Sequence, residues 1–188
     1  MNQIKPLYRV PLKYGVAAAI LAILLMIVMY FSGKHPMLIP VYYDYRIILF
    51  GIILFFSIKE YRDIYNKGYL HFWEGLVNGI IAYLTAALIV GLFIILFSNL
   101  VPDFLNSYIN STVSGLELDK EQLTKTGSVT ISEEEFQNQI DMLKSATPSL
   151  LTIDYIIKSL MIGFPITLIL SVFLRKTEDR FKNRSTEK

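Results

Sequence analysis

The chain has 188 residues with a net charge of +2, 53% hydrophobic and 18% charged side chains, where soluble domains average about 25% charged residues. A charge so near balance excludes a field strong enough to attract nucleic acid. The absence of cysteine excludes disulfides, thiolate nucleophiles and thiolate-bound metals, and His35 and His71 are too few for a His-rich metal site.

Four apolar runs divide the chain, at roughly residues 14–31, 45–58, 76–97 and 150–174. A helix needs about 20 mostly apolar residues, within about 17–25, to cross the hydrocarbon core. The first, third and fourth runs meet that. The second meets it with Tyr42, Tyr43 and Tyr45 at one interface and Tyr61 at the other. These runs predict an all-α integral membrane protein with four transmembrane helices. Residues 1–188 then form a single membrane domain, with residues 99–149 an extramembrane helical loop between the third and fourth spans.

Lys5, Arg9 and Lys13 precede the first run as they would a secretory signal, but the run is longer than a signal h-region. The flank Ser32-Gly33-Lys34-His35-Pro36 has no A-x-A-like cleavage site, so a retained helix is expected. Pro36 and Pro40 stiffen the turn that follows. Residues 58–69 read as a helical extension closed by a turn at Asn66-Lys67-Gly68, with glycine as the C-cap. The third helix is expected from near Leu70. Its Gly75-Leu76-Val77-Asn78-Gly79 has the small-xxx-small spacing that lets another helix backbone approach, within the chain or in a dimer.

Pro102 should end or kink the third helix. Phe104, Leu105, Tyr108 and Ile109 recur at helical spacing and predict a short amphipathic helix, with another turn or two between Leu116 and Leu123. Thr126-Gly127-Ser128 reads as a break. Ser132 followed by Glu135 has capping-box spacing, and the helix it starts places Phe136, Ile140 and Leu143 on one face before Pro148. The resulting helical hairpin is too small for a core of its own. Its apolar stripes should rest on the membrane surface, the helix tops or a partner. Pro165 should kink the fourth span as a static bend or a hinge, with Thr167 placed to compensate the lost backbone bond.

Lys and Arg collect on the cytoplasmic side of membrane proteins. Three lie in the N-terminal tail, and Lys59, Arg62 and Lys67 follow the second run. Six lie in the C-terminal tail from Arg175 to Lys188. The long loop carries Lys120, Lys125 and Lys144 against eight acids. Both termini are therefore expected in the cytoplasm and the long loop outside. Tyr30, Phe31, Tyr42, Tyr43 and Tyr45 would form the outer aromatic belt, and Tyr61, Tyr65, Tyr69, Phe72 and Trp73 the inner one.

No acyl-transfer, phosphate-loop, metalloprotease or dinucleotide motif is present. The candidates are polar residues in or near hydrocarbon, where they are costly. Asp154 and Lys158 share a helix face in the favourable acid-before-base order, and Asp44 and Arg46 can join them from the mouth of the second span. The cluster either neutralises its own charge or lines a cavity for an anionic lipid headgroup or a phosphate, contacted by Lys158 and Arg46. His71, Glu74 and Asn78 share a face at the other end of the third span. They either bond to the second loop, through Arg62 or Lys67, or form a proton or cation relay. The basic C-terminal tail anchors topology and faces anionic headgroups.

Tyr61-Arg62-Asp63 with Gly68, Phe72-Trp73-Glu74-Gly75 with Gly79, Pro102, residues 131–136 and Pro148 form a set that spans nearly the whole chain. Together these stretches resemble a family of small four-helix membrane proteins of the Bacteroidetes bacteria, classed as a domain of unknown function. The resemblance implies a multi-pass inner-membrane protein with a periplasmic loop, and supplies no activity, cofactor or catalytic residue. Genes of that kind lie near membrane glycosyltransferases acting on polyprenyl-phosphate lipids, which names such an enzyme as a partner by association alone. The expected function is a non-enzymatic accessory protein of the cell envelope that contacts protein or membrane lipid. The alternative is a small transporter or lipid-handling protein using the Asp154, Lys158 and Arg46 region. A membrane enzyme is the weakest reading.

Overall fold

The computed structural model describes residues 5–126 and 132–177. The break at Gly127-Ser128 and the basic tail beyond residue 177 lie outside the described residues. Among the described residues, six α-helices and no strand are present: α1 (Pro6–Phe31), α2 (Arg46–Glu60), α3 (Phe72–Leu100), α4 (Pro102–Thr126), α5 (Glu133–Lys144) and α6 (Pro148–Phe173). Helices α1, α3 and α6 are each long and apolar enough to cross a membrane. Their flanks leave Ile20, Val28, Leu88, Leu92, Leu96, Ile153 and Met161 largely exposed. Apolar surface this continuous is foreign to a water-soluble monomer, and it is consistent with a membrane protein.

Helix α3 is the axis of the bundle, with α1 and α6 packed along it and α2 touching all three. Small residues set how close they come. A Cβ added to Gly15 of α1 would lie 2.6 Å from the Ala82 carbonyl oxygen of α3. Ala18, Ala19 and Ala22 are fully buried in the next turns of α1. Between α3 and α6 the close approaches run in opposite chain order. Gly75 meets Ser171, Gly79 meets Thr167, Gly163 meets Tyr83 and Gly91 meets Thr152. The two helices are therefore antiparallel, joined along a seam of glycine, serine and threonine. Where hydrocarbon surrounds helices there is no hydrophobic drive between them, and this kind of close packing supplies the attraction instead.

One connection differs from the sequence reading. The amphipathic segment after Pro102 is one 25-residue helix, not a short helix and a separate turn. Gly115, with open space around it, does not interrupt α4, because a lone glycine costs only about 1 kcal/mol in a helix. Pro102 starts that helix at N1, where its missing N–H is harmless. Helix α2 continues, as the sequence reading expects, through a helical extension, here one π-helical turn, Tyr61–Tyr65. Lys67 and Gly68 follow at positive φ, 53° and 82°. Leu70 and Lys176 then exchange two backbone hydrogen bonds of 2.8 and 3.0 Å, tying the α2–α3 connection to the segment after α6. Ser132 caps α5 by accepting from the Glu135 N–H at 3.2 Å. Phe136 and Ile140 of α5 are nearly fully buried, and Lys120 of α4 lies 4.1 Å from the Phe136 ring centre.

Candidate functional site

Asp44 and Arg46 sit where a 3₁₀ turn, Val41–Tyr43, leads into α2. The Arg46 Nε donates to both Asp44 carboxylate oxygens at 2.8 Å, and Nη2 closes the fork on Oδ2. The planar guanidinium suits this two-point grip. Its remaining arm reaches α6, where Nη1 donates to Ser159 Oγ at 3.1 Å and to the Tyr155 carbonyl at 3.4 Å. The guanidinium carbon lies 4.6 Å from the Tyr155 ring centre. The Arg46 and Asp44 side chains are only 4% and 1% exposed. The pair is a sealed staple between the start of α2 and α6.

Asp154 and Lys158 form a second pair at 2.7 Å, one turn apart on α6. The Lys158 ammonium also donates to the Met37 carbonyl at 3.2 Å. These side chains keep 29% and 23% exposure, so this pair, unlike the first, remains reachable. These four charges each have a partner within the chain.

At the opposite end Glu74 gathers several donors. It accepts from the His71 backbone N–H at 2.8 Å, from Asn66 Nδ2 at 3.0 Å and from the Tyr61 hydroxyl at 3.2 Å. His71 Nδ1 lies 3.2 Å away. Its partners in the second loop are thus Tyr61 and Asn66, not Arg62 or Lys67. Arg62 is committed to Asp63 at 2.7 Å and to the Leu174 carbonyl at 3.4 Å. Asn78 belongs to a separate contact, accepting from Ser57 Oγ of α2 at 2.7 Å. Its amide nitrogen is buried without a partner. His71 is exposed, Glu74 is partly so and Asn78 is wholly buried. The three share a helix face without forming one hydrogen-bonded chain.

The profile of the family described as Protein of unknown function (DUF4199) matches residues 13–176. The chain belongs to the DUF4199 family. No curated protein and no solved structure matches it. The DUF4199 match takes in both charged pairs, the Glu74 cluster and the glycine seam.

Within the DUF4199 region, three polar contacts escaped sequence reasoning. Glu60 at the end of α2 holds both Lys13 and the Tyr14 hydroxyl of α1 at 2.7 Å. Ser57 bonds Asn78 across α2 and α3. His35 forms the third, at the junction of the α1–α2 connection with α4. Its Nδ1 accepts from the Met37 N–H at 3.3 Å, and its Nε2 donates to the Phe104 carbonyl at 2.9 Å. The Phe104 ring lies 4.6 Å from the imidazole and packs edge-on to Tyr30 and Phe97. Burial pushes the His35 imidazole below its ordinary pKa, so the neutral ring fits the site. The one sequence signal was a histidine directly before Pro36, in cap position for a short turn.

Proposed function

We propose that this chain is a four-span, non-enzymatic accessory protein of a bacterial inner membrane, working through contacts with a neighbouring membrane protein. Its termini face the cytoplasm and the α4–α5 hairpin faces the periplasm. The fourth span is α2 with its π-turn. Arg46 is level with Ser159 of α6 and Arg62 with Leu174 just past its end, so α2 and its extension run parallel to α6 for sixteen residues. At 1.5 Å each that is about 24 Å, close to a hydrocarbon core of about 30 Å. The orientation rests on charge, since the acids of the hairpin lie at one end of the bundle and Lys59, Arg62, Lys67, Arg175 and Lys176 at the other.

The observation that carries the non-enzymatic reading is the internal pairing of the bundle's charges. Asp44, Arg46, Glu60, Glu74, Asp154 and Lys158 each hold a partner from the chain itself. A general acid or base needs access to a substrate proton, and the most deeply placed pair, Asp44–Arg46, is closed to it. Affinity purification in mild detergent, with cross-linking mass spectrometry, tests the proposal. A stoichiometric membrane protein cross-linked to this chain is the expected result. A monodisperse chain with no cross-linked neighbour, from the membrane in which it is native, refutes it.

A lipid-handling role is the second reading, favoured by one observation. The Asp154–Lys158 pair is partly exposed and lies on the same face of α6 as a groove lined by Met161, Ile162 and Pro165.

A further inference from the structure

We infer that the outer face of α6 and the start of α2 form a seat for one phospholipid whose headgroup carries both a phosphate and an ammonium. This rests on the reading that α6 crosses the bilayer. The seat has two parts. The lower is a shallow apolar groove of about 430 Å³ between α2 and α6, lined by Tyr42, Ile47, Met161, Ile162, Pro165 and Ile166. The upper is the Asp154–Lys158 pair. Lys158, Met161, Ile162 and Pro165 are spaced i, i+3, i+4 and i+7, so the ammonium stands directly above the groove on one helix face. Asp154 stands a further turn above it.

The order along α6 is therefore apolar groove, cation, anion. A phospholipid entering from that side presents acyl chain, phosphate and ammonium in the same order. The depth also fits. Lys158 and Arg175 are seventeen residue steps apart along α6 and its end, about 25 Å at 1.5 Å per residue, which puts Lys158 near the edge of a hydrocarbon core of about 30 Å. The exposed Tyr42 and Tyr43 rings lie at the same end, where tyrosine favours headgroup depth. Both charges have capacity left. An ammonium has three donors, and Lys158 uses two, on Asp154 and on the Met37 carbonyl. A carboxylate has about four acceptor positions. Arg46 takes no part, because its fork is closed on Asp44.

The full chain is reconstituted in nanodiscs of equal phosphatidylethanolamine and phosphatidylglycerol with identical acyl chains. Insertion is checked by resistance to alkaline carbonate, and the lipid retained after mild detergent extraction is read by native mass spectrometry. The expected result is one retained phosphatidylethanolamine, enriched roughly tenfold over phosphatidylglycerol, the size of one charge-assisted hydrogen bond. The double variant Asp154→Lys with Lys158→Asp keeps an ion pair but inverts its order, and should abolish the preference. Met161→Trp fills the groove and should lower retention of both lipids. If the exchanged pair does not fold by circular dichroism, Asp154→Asn serves, and should lose the preference alone. Retained lipid that mirrors the bulk ratio, or a preference unchanged in the exchanged pair or in Asp154→Asn, overturns the seat. A chain extracted by carbonate overturns the membrane reading beneath it.

Discussion

Replacing Asp44 by Asn tests the buried staple most sharply. The substitution preserves shape and removes one charge, leaving the Arg46 guanidinium at 4% exposure without its counter-ion. Its remaining contacts are neutral acceptors, the amide oxygen of the new side chain with Ser159 Oγ and the Tyr155 carbonyl on α6, and the Tyr155 ring. Breaking a buried pair from one side costs about 3–5 kcal/mol, because the other charge stays buried and uncompensated. For a chain of this size each kcal/mol moves the unfolding midpoint by about 2–4 °C, so a loss of about 10 °C is expected. Removing both charges should behave differently. In Asp44→Asn with Arg46→Met, a flexible apolar side chain fills the space, and Ser159 is free to bond the Tyr155 carbonyl one turn back along α6. Paired replacement by apolar groups is often neutral, so the double variant should recover most of the loss. The assay is thermal unfolding in detergent, followed by intrinsic fluorescence and size-exclusion chromatography. A loss under about 1 kcal/mol for Asp44→Asn, or a double variant no more stable than the single, refutes the reasoning.

The glycine seam makes a second test. Gly79→Ala should cost about 1–3 kcal/mol as an overpacked contact, since its Cβ meets both branches of Thr167. Gly51→Ala, in open space on α2, should instead stabilise by up to about 1 kcal/mol; denaturation midpoints of the two variants decide. Ser57→Ala should cost about 1–3 kcal/mol because it leaves buried Asn78 wholly without partners, and the companion Asn78→Leu change should restore most of it on the same assay. His35 gives a pH dependence. Its folded pKa lies below the ordinary value, so between the two values the unfolded chain binds more protons. Stability is then complete above about pH 6.5 and falls as the pH drops towards the folded value. Unfolding midpoints from pH 7.5 to 5 should show this step in the wild type and in His71→Gln, and lack it in His35→Gln.

Three spans were legible because hydrocarbon imposes a length and composition that few other environments do, and the structure places α1, α3 and α6 on those runs. The apolar part of α2 is shorter; its helical extension was legible in residues 58–69, but the π geometry of that turn was announced by no local pattern. Caps read well, as Ser132 shows, because they depend on neighbours within a turn. The unbroken length of α4 did not, because Gly115 is a weak breaker and its helix is held by packing elsewhere. Among the polar residues, cost in the membrane picked out Asp44, Arg46, Asp154 and Lys158. Their division into a sealed and a reachable pair depends on helix rotation and on partners far along the chain. Arg46 finds Ser159 across 113 residues, and His35 finds Phe104 across 69. Such contacts follow from how whole helices dock, and no window of sequence contains them.

Side-specific thiol labelling tests the four-span arrangement most directly. The chain has no cysteine, so single cysteines placed at the exposed positions Lys34, Lys67, Gln137 and Arg175 each report only their own side. In sealed vesicles, a membrane-impermeant maleimide should label Lys34 and Gln137 from one face, and Lys67 and Arg175 from the other. Labelling of Lys34 and Lys67 from the same face would contradict it, because α2 would then fail to cross.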